Sequence, residues 1–327
     1  MEADGLIESD VMPPADLGRL IMANGPELRG SVRPSLPIGP GGVVSRYVGS
    51  QAIMVARRRR ALVDEQQHRA VIVSLTDSED GYLPVARAAD EAALRGWPLH
   101  IVHVPTPAFG PHSHMVRMTG RELLNDTARR VRETREIDVT TYLRTGTTAG
   151  NLVDASTRAG LLVVGVRVRG SLGALWAGSV GFHVTEYAHC PVMLVHLPNA
   201  EAHRTWSDHS VVVGVDGSPC SYAALDFAAA EAALHGGSVL AVHVVDANES
   251  RPDPLVAGPL TEADDEYRGV PLQRRRVVDR PRNALMRLSE TASALVVGAR
   301  SGGLHAGSVA QSMVRRARSP LFVVHEH

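Results

Sequence analysis

The chain has no lysine, and all 34 of its basic side chains are arginines. That absence excludes chemistry that needs a lysine nucleophile, and it excludes a phosphate loop built around a lysine. A surplus of positive charge is also missing, because 35 acidic residues face those 34 arginines. Nothing therefore marks a general binder of nucleic acid. Cysteine is almost absent. Cys190 and Cys220 stand far apart, which excludes a disulfide framework or a cysteine-ligated zinc cluster and fits a reducing compartment. No run approaches the roughly 20 apolar residues of a membrane span. The segment Met1 to Asp10 is acidic and lacks the basic start and apolar core of a secretory signal. The expectation is a soluble, cytoplasmic protein with no nucleic-acid or membrane partner.

What is present is a repeat, and 327 residues give room for two domains. Val71-Ile72-Val73 opens a segment running through Ala88-Ala89-Asp90-Glu91-Ala92-Ala93-Leu94 and Gly96 to Val102-His103-Val104. Val211-Val212-Val213 opens a second, through Ala228-Ala229-Ala230-Glu231-Ala232-Ala233-Leu234 and Gly236 to Val242-His243-Val244. The offset is 140 throughout (211 − 71 and 243 − 103). It falls to 133 between Leu162–Gly165 and Leu295–Gly298, and to 129 between Pro191–His196 and Pro320–His325. The second copy has therefore lost residues in two loops.

Each copy reads as alternating strands and helices. The runs Val71–Leu75 and Val211–Val215 are short, continuous and β-branched, as strands buried on both faces require. Val85, Ala88, Ala89 and Ala92 recur at helical spacing before Gly96, and Leu225, Ala228, Ala229 and Ala232 do so before Gly236. A second helix is expected from Thr119, with Glu122 closing a capping box, to about Glu136. Its counterpart in copy two is expected only over Thr261–Tyr267. Third strands are expected at about Val139–Arg144 and Leu272–Val278. The fold class is α/β: two tandem doubly wound parallel-sheet domains of Rossmann-like type, spanning 66–199 and 208–327. Residues 199–210 read as the linker, and residues 1–65 as an irregular N-terminal extension, either disordered or a degenerate half-domain.

In such sheets ligands bind beyond the carboxyl ends of the strands, where the strand order switches. The loop from Gly165 to Ser179 follows the fourth strand of copy one. Its glycines let backbone N–H groups approach an anion, Arg167 adds charge, and Ser179 and Val180 open a helix whose free N–H groups favour phosphate. The corresponding loop in copy two runs from Gly298 to Gly307-Ser308. It has eight residues between its outer glycines, where copy one has twelve between Gly165 and Gly178. Asp216 stands at the carboxyl end of the first strand of copy two, and at offset 140 its counterpart is Thr76. No paired carboxylates and no nucleophile–base spacing point to an enzyme. His103 and His243, at matching strand ends, suit a structural role. His112, His114, His325 and His327 read as surface histidines, and Cys190 as a packing residue.

These motifs resemble the universal stress protein family over about Ala70–Leu197 and Ser210–His327. The family's nucleotide-binding branch carries glycine, two residues, glycine, nine residues, then glycine with serine or threonine. Copy one keeps that spacing through Gly165 and Gly178-Ser179 but has Val168 at the second glycine. His189-Cys190-Pro191-Val192 and Val215-Asp216-Gly217-Ser218 are also family-like. The resemblance implies a non-enzymatic stress or dormancy regulator that binds ATP or a relative, with or without Mg²⁺. Gly178, Ser179 and Arg167 would hold phosphates in copy one, and Asp216 and Gly298 adenosine in copy two. It also implies that the two last strands pair within the chain, making an intramolecular pseudo-dimer, and that protein partners exist. The alternative is a scaffold whose sites have decayed: copy one lacks the aspartate and copy two the loop length.

Overall fold

The computed structural model describes residues 69–106, 112–167, 179–197, 210–245, 255, 266–299 and 309–326. The readings placed on residues 1–65 and on the 199–210 linker fall outside them, save Ser210, which directly precedes the first strand of copy two. The described residues all belong to one compact unit, Ala61–His327.

Copy one contributes β1 (Ala70–Leu75), α1 (Tyr82–Arg95), β2 (Leu99–His103), α2 (His112–Thr134), β3 (Val139–Leu143), α3 (Thr148–Ser156), β4 (Ala159–Arg167), α4 (Ser179–Tyr187) and β5 (Val192–Leu197). Copy two contributes β6 (Val211–Gly214), α5 (Pro219–His235), β7 (Val239–Val245), β8 (Glu266–Tyr267), β9 (Val270–Val278), α6 (Pro281–Ser289), β10 (Ala294–Ala299), α7 (Val309–Arg316) and β11 (Leu321–His325). Among the described residues eleven strands form a single ordered array, β3-β2-β1-β4-β5-β11-β10-β6-β7-β9-β8. Within each copy the main strands are parallel, so their connections must cross over rather than turn back as hairpins.

The unbroken apolar strands are explained by burial on both faces. Val71, Val73 and Leu75 join one core with Leu99 and Ile101, under α1, α2 and α5. Their neighbours Ala70 and Ile72 join a second core with Leu162 and Val164, under α3, α4, α6 and α7. Strand parity thus divides one hydrophobic run between two layers. The alanine-rich faces of α1 and α5 are fully buried, and both helices end on a left-handed glycine, Gly96 at φ 64° and Gly236 at φ 66°. Ser218 caps α5 by accepting from the Ser221 N–H, with Pro219 as the next residue.

The two copies meet edge to edge. β11 pairs antiparallel with β5, with Leu321 opposite Leu194, Phe322 opposite Met193 and Val323 opposite Val192. Two buried histidines cross this seam reciprocally. His196 Nε2 lies 2.9 Å from the Val314 carbonyl on α7, and His325 Nε2 lies 2.9 Å from the Thr185 carbonyl on α4. The pairs are equivalent under the repeat, because 325 − 196 and 314 − 185 are both 129.

Four local expectations are corrected. The second helix starts at His112, seven residues before Thr119, so His112 and His114 lie in its first turn. Thr119 and Glu122 are interior to the helix and form no cap. Glu266 and Tyr267 are extended and pair with Val270 and Pro271, because Arg268 (φ 53°) and Gly269 (φ 77°) turn the chain into a hairpin. His325 is a buried seam residue rather than a surface one. Cys190 does act as a packing residue, and burial pushes its thiol up to about 12. Among the described residues no helix is long and apolar enough to cross a membrane.

Phe322 is fully buried at the seam with its ring 5.2 Å from that of Phe227. Phe322→Ala is expected to lower unfolding free energy in urea by about 3–5 kcal/mol. Val278→Ala, at a position 62% exposed, should change it by no more than about 0.5 kcal/mol.

Candidate functional site

In copy one the strand order switches between β1 and β4, and in copy two between β6 and β10. The ends of these strands are the candidate site, and the two copies build them differently.

In copy two the chain leaves β6 through Val215 and the exposed Asp216, turns at Gly217 (φ 82°), and enters α5 at its Ser218 cap. Asp216 Oδ1 accepts from the Ser218 N–H at 3.0 Å and from Ser218 Oγ at 2.6 Å. Burial pushes this carboxyl up, but hydrogen bonds from Ser218 and Ser221 outweigh it and hold the carboxyl below its ordinary value. It is therefore an anion at neutral pH. Its charge reaches Tyr222, whose phenol is raised by burial and then by Asp216. Gly298, near the end of β10, closes the other side. A Cβ there would lie 2.6 Å from the Cys220 carbonyl carbon and 3.0 Å from the Ser221 N. The strand end and the first turn of α5 touch so closely that only glycine fits. Asp216 and Gly298 are thus brought to the same helix N-terminus.

Copy one has the same frame with its mouth filled. Thr76 stands where copy two has Asp216, and its hydroxyl lies 2.9 Å from Ser78 Oγ. Asp77 replaces the left-handed Gly217, and the chain takes another path. A 3-10 turn over Glu79–Gly81 follows, and α1 begins only at Tyr82. That turn folds back onto the end of β1, since a Cβ on Gly81 would lie 3.1 Å from the Thr76 carbonyl carbon. Arg167, at the end of β4, reaches across to Asp80, with Nη2 3.2 Å from Oδ2. Gly165 packs on α1, where a Cβ would meet Pro84 Cγ at 2.7 Å. Val180 lies half-buried in the first turn of α4, packed against the core.

Of the nine residues singled out in the sequence, Gly165, Arg167, Val180, Asp216 and Gly298 are placed at these strand and helix ends. Ser179 begins α4. Gly178, Gly307 and Ser308 lie outside the described residues. Sequence reasoning missed Asp80, although an acid five residues past a strand end was the signal available. It also missed a groove of about 480 Å³ on the open face of β2 and β3, lined by His100, Tyr142, Arg144, Asp154 and Arg158 among others. Gly165, Arg167, Val180, Asp216 and Gly298 are not among its lining residues.

The fold, with a switch in strand order in each half, defines a tandem, doubly wound α/β protein. The sequence matches the universal stress protein family twice, over residues 68–196 and 209–325. The chain belongs to the universal stress protein family. It is 30% identical over 293 residues to a universal stress protein of Mycolicibacterium smegmatis, covering 80% of this chain and 99% of that one. It is similarly 30% identical over 292 residues to a universal stress protein of Mycobacterium tuberculosis, covering 80% and 98%. The crystal structure of a universal stress protein from Archaeoglobus fulgidus superposes with a TM-score of 0.65 at 19% identity, covering 80% of this chain and all of that one. That last likeness bears on the fold alone.

Because glycine at position 298 is dictated by helix–strand contact, Gly298→Ala should destabilise the chain by about 1–3 kcal/mol without any ligand present. Urea unfolding of the purified variant measures it, and wild-type stability would refute the packing role.

Proposed function

We propose that the chain is a non-enzymatic stress or dormancy regulator of the cytoplasm that responds to ATP or a close relative. Its two domains, 66–199 and 208–327, act as an intramolecular pseudo-dimer. The observation that carries this reading is Asp216. It is an exposed, ionised acceptor at the switch point of copy two, beside the N-terminus of α5. One oxygen is held by Ser218, which fixes the carboxylate so that it can accept from ribose hydroxyls. Gly298 beside it lets β10 close on the first turn of α5, which holds that helix N-terminus next to the carboxylate. The phosphates would then extend toward the loop that ends at Gly307-Ser308. In copy one, Gly165, Gly178, Ser179 and Val180 supply the phosphate end. Mg²⁺ would arrive with the phosphates, since it keeps most of its water and leans on phosphate oxygens.

A second reading has its own support. In copy one the 3-10 turn and the Arg167–Asp80 pair occupy the strand end. Arg167 must leave Asp80 before it can meet a phosphate. A protein with that cleft closed acts through protein contacts, as a scaffold.

Small molecules released from the purified protein and identified by mass should include an adenine nucleotide. Calorimetric titration with ATP should show Asp216→Ala and Ser179→Ala each weakening binding by about tenfold, the worth of one charge-assisted hydrogen bond. Unchanged affinity in both variants would sink the assignment. No copurifying nucleotide together with no thermal shift in ATP would favour the scaffold.

A further inference from the structure

Where α1 of copy one packs against α5 of copy two, four ionisable side chains are buried together, and the nucleotide reading uses none of them. They are Glu91 and Arg95 from α1, and Glu231 and His235 from α5, exposed by 2%, 9%, 3% and 6%. Under the repeat they are two equivalent pairs, because 231 − 91 and 235 − 95 are both 140. Arg95 bonds one oxygen of each glutamate, Oε2 of Glu91 and Oε1 of Glu231, and its guanidinium lies over the Trp97 ring. The other two oxygens face His235. Its Nε2 lies 3.3 Å from Glu91 Oε1 and 3.9 Å from Glu231 Oε2. Glu231 Oε2 is buried and has no hydrogen-bond partner.

The charges decide what such a cluster needs. Two carboxylates and one guanidinium leave a net charge of −1 if His235 is neutral, and a buried uncompensated charge is strongly destabilising. One proton brings the sum to zero. A divalent cation among Glu91, Glu231 and His235 would instead carry it to +1. Its three donor atoms lie within 4.8 Å of one another, whereas neighbouring ligands about 2.1 Å from one metal ion stand about 3.0 Å apart in octahedral and about 3.4 Å apart in tetrahedral geometry. The surrounding charges do not alter the balance at Glu231. Arg87 feels the charge of Asp90 first and of Glu91 second, and Asp90 is bound by Arg135 Nε at 2.8 Å. The charged groups acting on Glu231 are Arg95, Glu91 and His235.

We propose that the junction between the two copies is locked by one shared proton: Glu91, Arg95, Glu231 and His235 form a buried quartet that is balanced only while that proton is held, and the docking of α1 on α5 weakens when it leaves. The proton belongs to the cluster rather than to one atom. Burial and then the charge of Glu91 push the Glu231 carboxyl up, against the pull of Arg95 and His235, from an ordinary 4.5 to about 7. Burial also raises Glu91, but His235 and Arg95 outweigh it and hold that carboxyl low. A folded-state value raised above the unfolded one gives stability that is full below the unfolded value. That stability is lost as pH rises through the folded one. The loss therefore falls between pH 4.5 and about 7. Glu91, displaced the other way, loses its contribution only below that window. His100 and His196 are lowered by burial, so their contributions fall on acidification, and comparison with variants is needed to isolate the quartet.

The test is urea unfolding of the full chain from about pH 5 to about pH 8 at constant ionic strength. The wild-type folded-to-unfolded ratio should fall with rising pH by up to about tenfold per unit relative to two variants. His235→Arg places a second arginine opposite Arg95 and balances the quartet without a proton. Glu231→Gln removes the carboxyl that takes the proton. Both should flatten that component of the profile, and a Glu231→Gln profile parallel to wild type overturns the proposal. A slope that disappears on treatment with chelator assigns the cluster to a metal ion and also overturns it. If the variants do not fold, hydrogen exchange of the unaltered chain carries the test. Protection of α1 and α5 amides, corrected for intrinsic rates, should fall with rising pH more than that of α2. An equal fall in all three helices overturns it.

Discussion

Two five-stranded parallel sheets would each end in an open edge at their fifth strand, and in this chain those edges satisfy one another. β5 and β11 pair antiparallel, so backbone groups that would otherwise face water or a stranger's strand are bonded within the molecule. The same contact places Met193 and Phe322 in one core, and Val192 and Val323 in the other. Each hydrophobic layer thereby runs through both copies. The reciprocal bonds of His196 and His325 to helix carbonyls across the seam fix its register. A shift by one residue would send every strand side chain to the wrong layer and strand both imidazoles.

That shared frame leaves the strand ends free to diverge. Copy two keeps the short path from β6 into α5, with a left-handed glycine at 217 and a serine cap at 218. Asp216 is consequently held at the mouth as an exposed anion. Copy one has Thr76 and Asp77 at the corresponding positions, delays its helix to Tyr82, and fills the mouth with a 3-10 turn tied to Arg167 through Asp80. Neither change touches the buried alanine faces. The cores therefore remain equivalent while the strand ends do not, and among the described residues that difference lies in two or three turn residues.

Much of this was legible in the sequence, for identifiable physical reasons. Runs such as Val71–Leu75 and Leu162–Gly165 are buried on both faces and carry an unambiguous strand signal. The alanine stripes ahead of Gly96 and Gly236 mark helices packed close to a sheet. The short helices α3 and α6 were not read, because nine residues with only two or three deeply buried side chains carry little periodicity. The start of α2 was obscured by Gly110 and Pro111 directly before it and by the histidines of its first turn. Glu266 and Tyr267 read as helical because the hairpin depends on positive φ at Arg268, a residue that seldom announces a turn. At the site, Asp216 and Gly298 were recognisable, but the reason for Gly298 was not. The close approach of Cys220 exists only in three dimensions. Glu91 and Glu231 were visible as a repeated acid within a buried alanine stripe, yet only the packing of α1 on α5 brings them together.

The cleft of copy two and the buried quartet stand at opposite ends of one helix. Ser218 caps α5 beside Asp216, and His235 is its last residue. Seventeen residues span about 25 Å, roughly three Debye lengths at physiological salt. The charge on a bound phosphate is therefore too far from the quartet to shift its proton through the field alone. A connection between them has to be mechanical. α5 carries a buried face from Cys220 to Ala232 and is closed at both ends by Ser218 and Gly236, so it moves as a body or not at all. Tilting it at the cleft would change how Glu231 and His235 meet Glu91 and Arg95. Ligand and proton are then linked only to the extent that α5 takes two positions, and a helix held in one position leaves them independent.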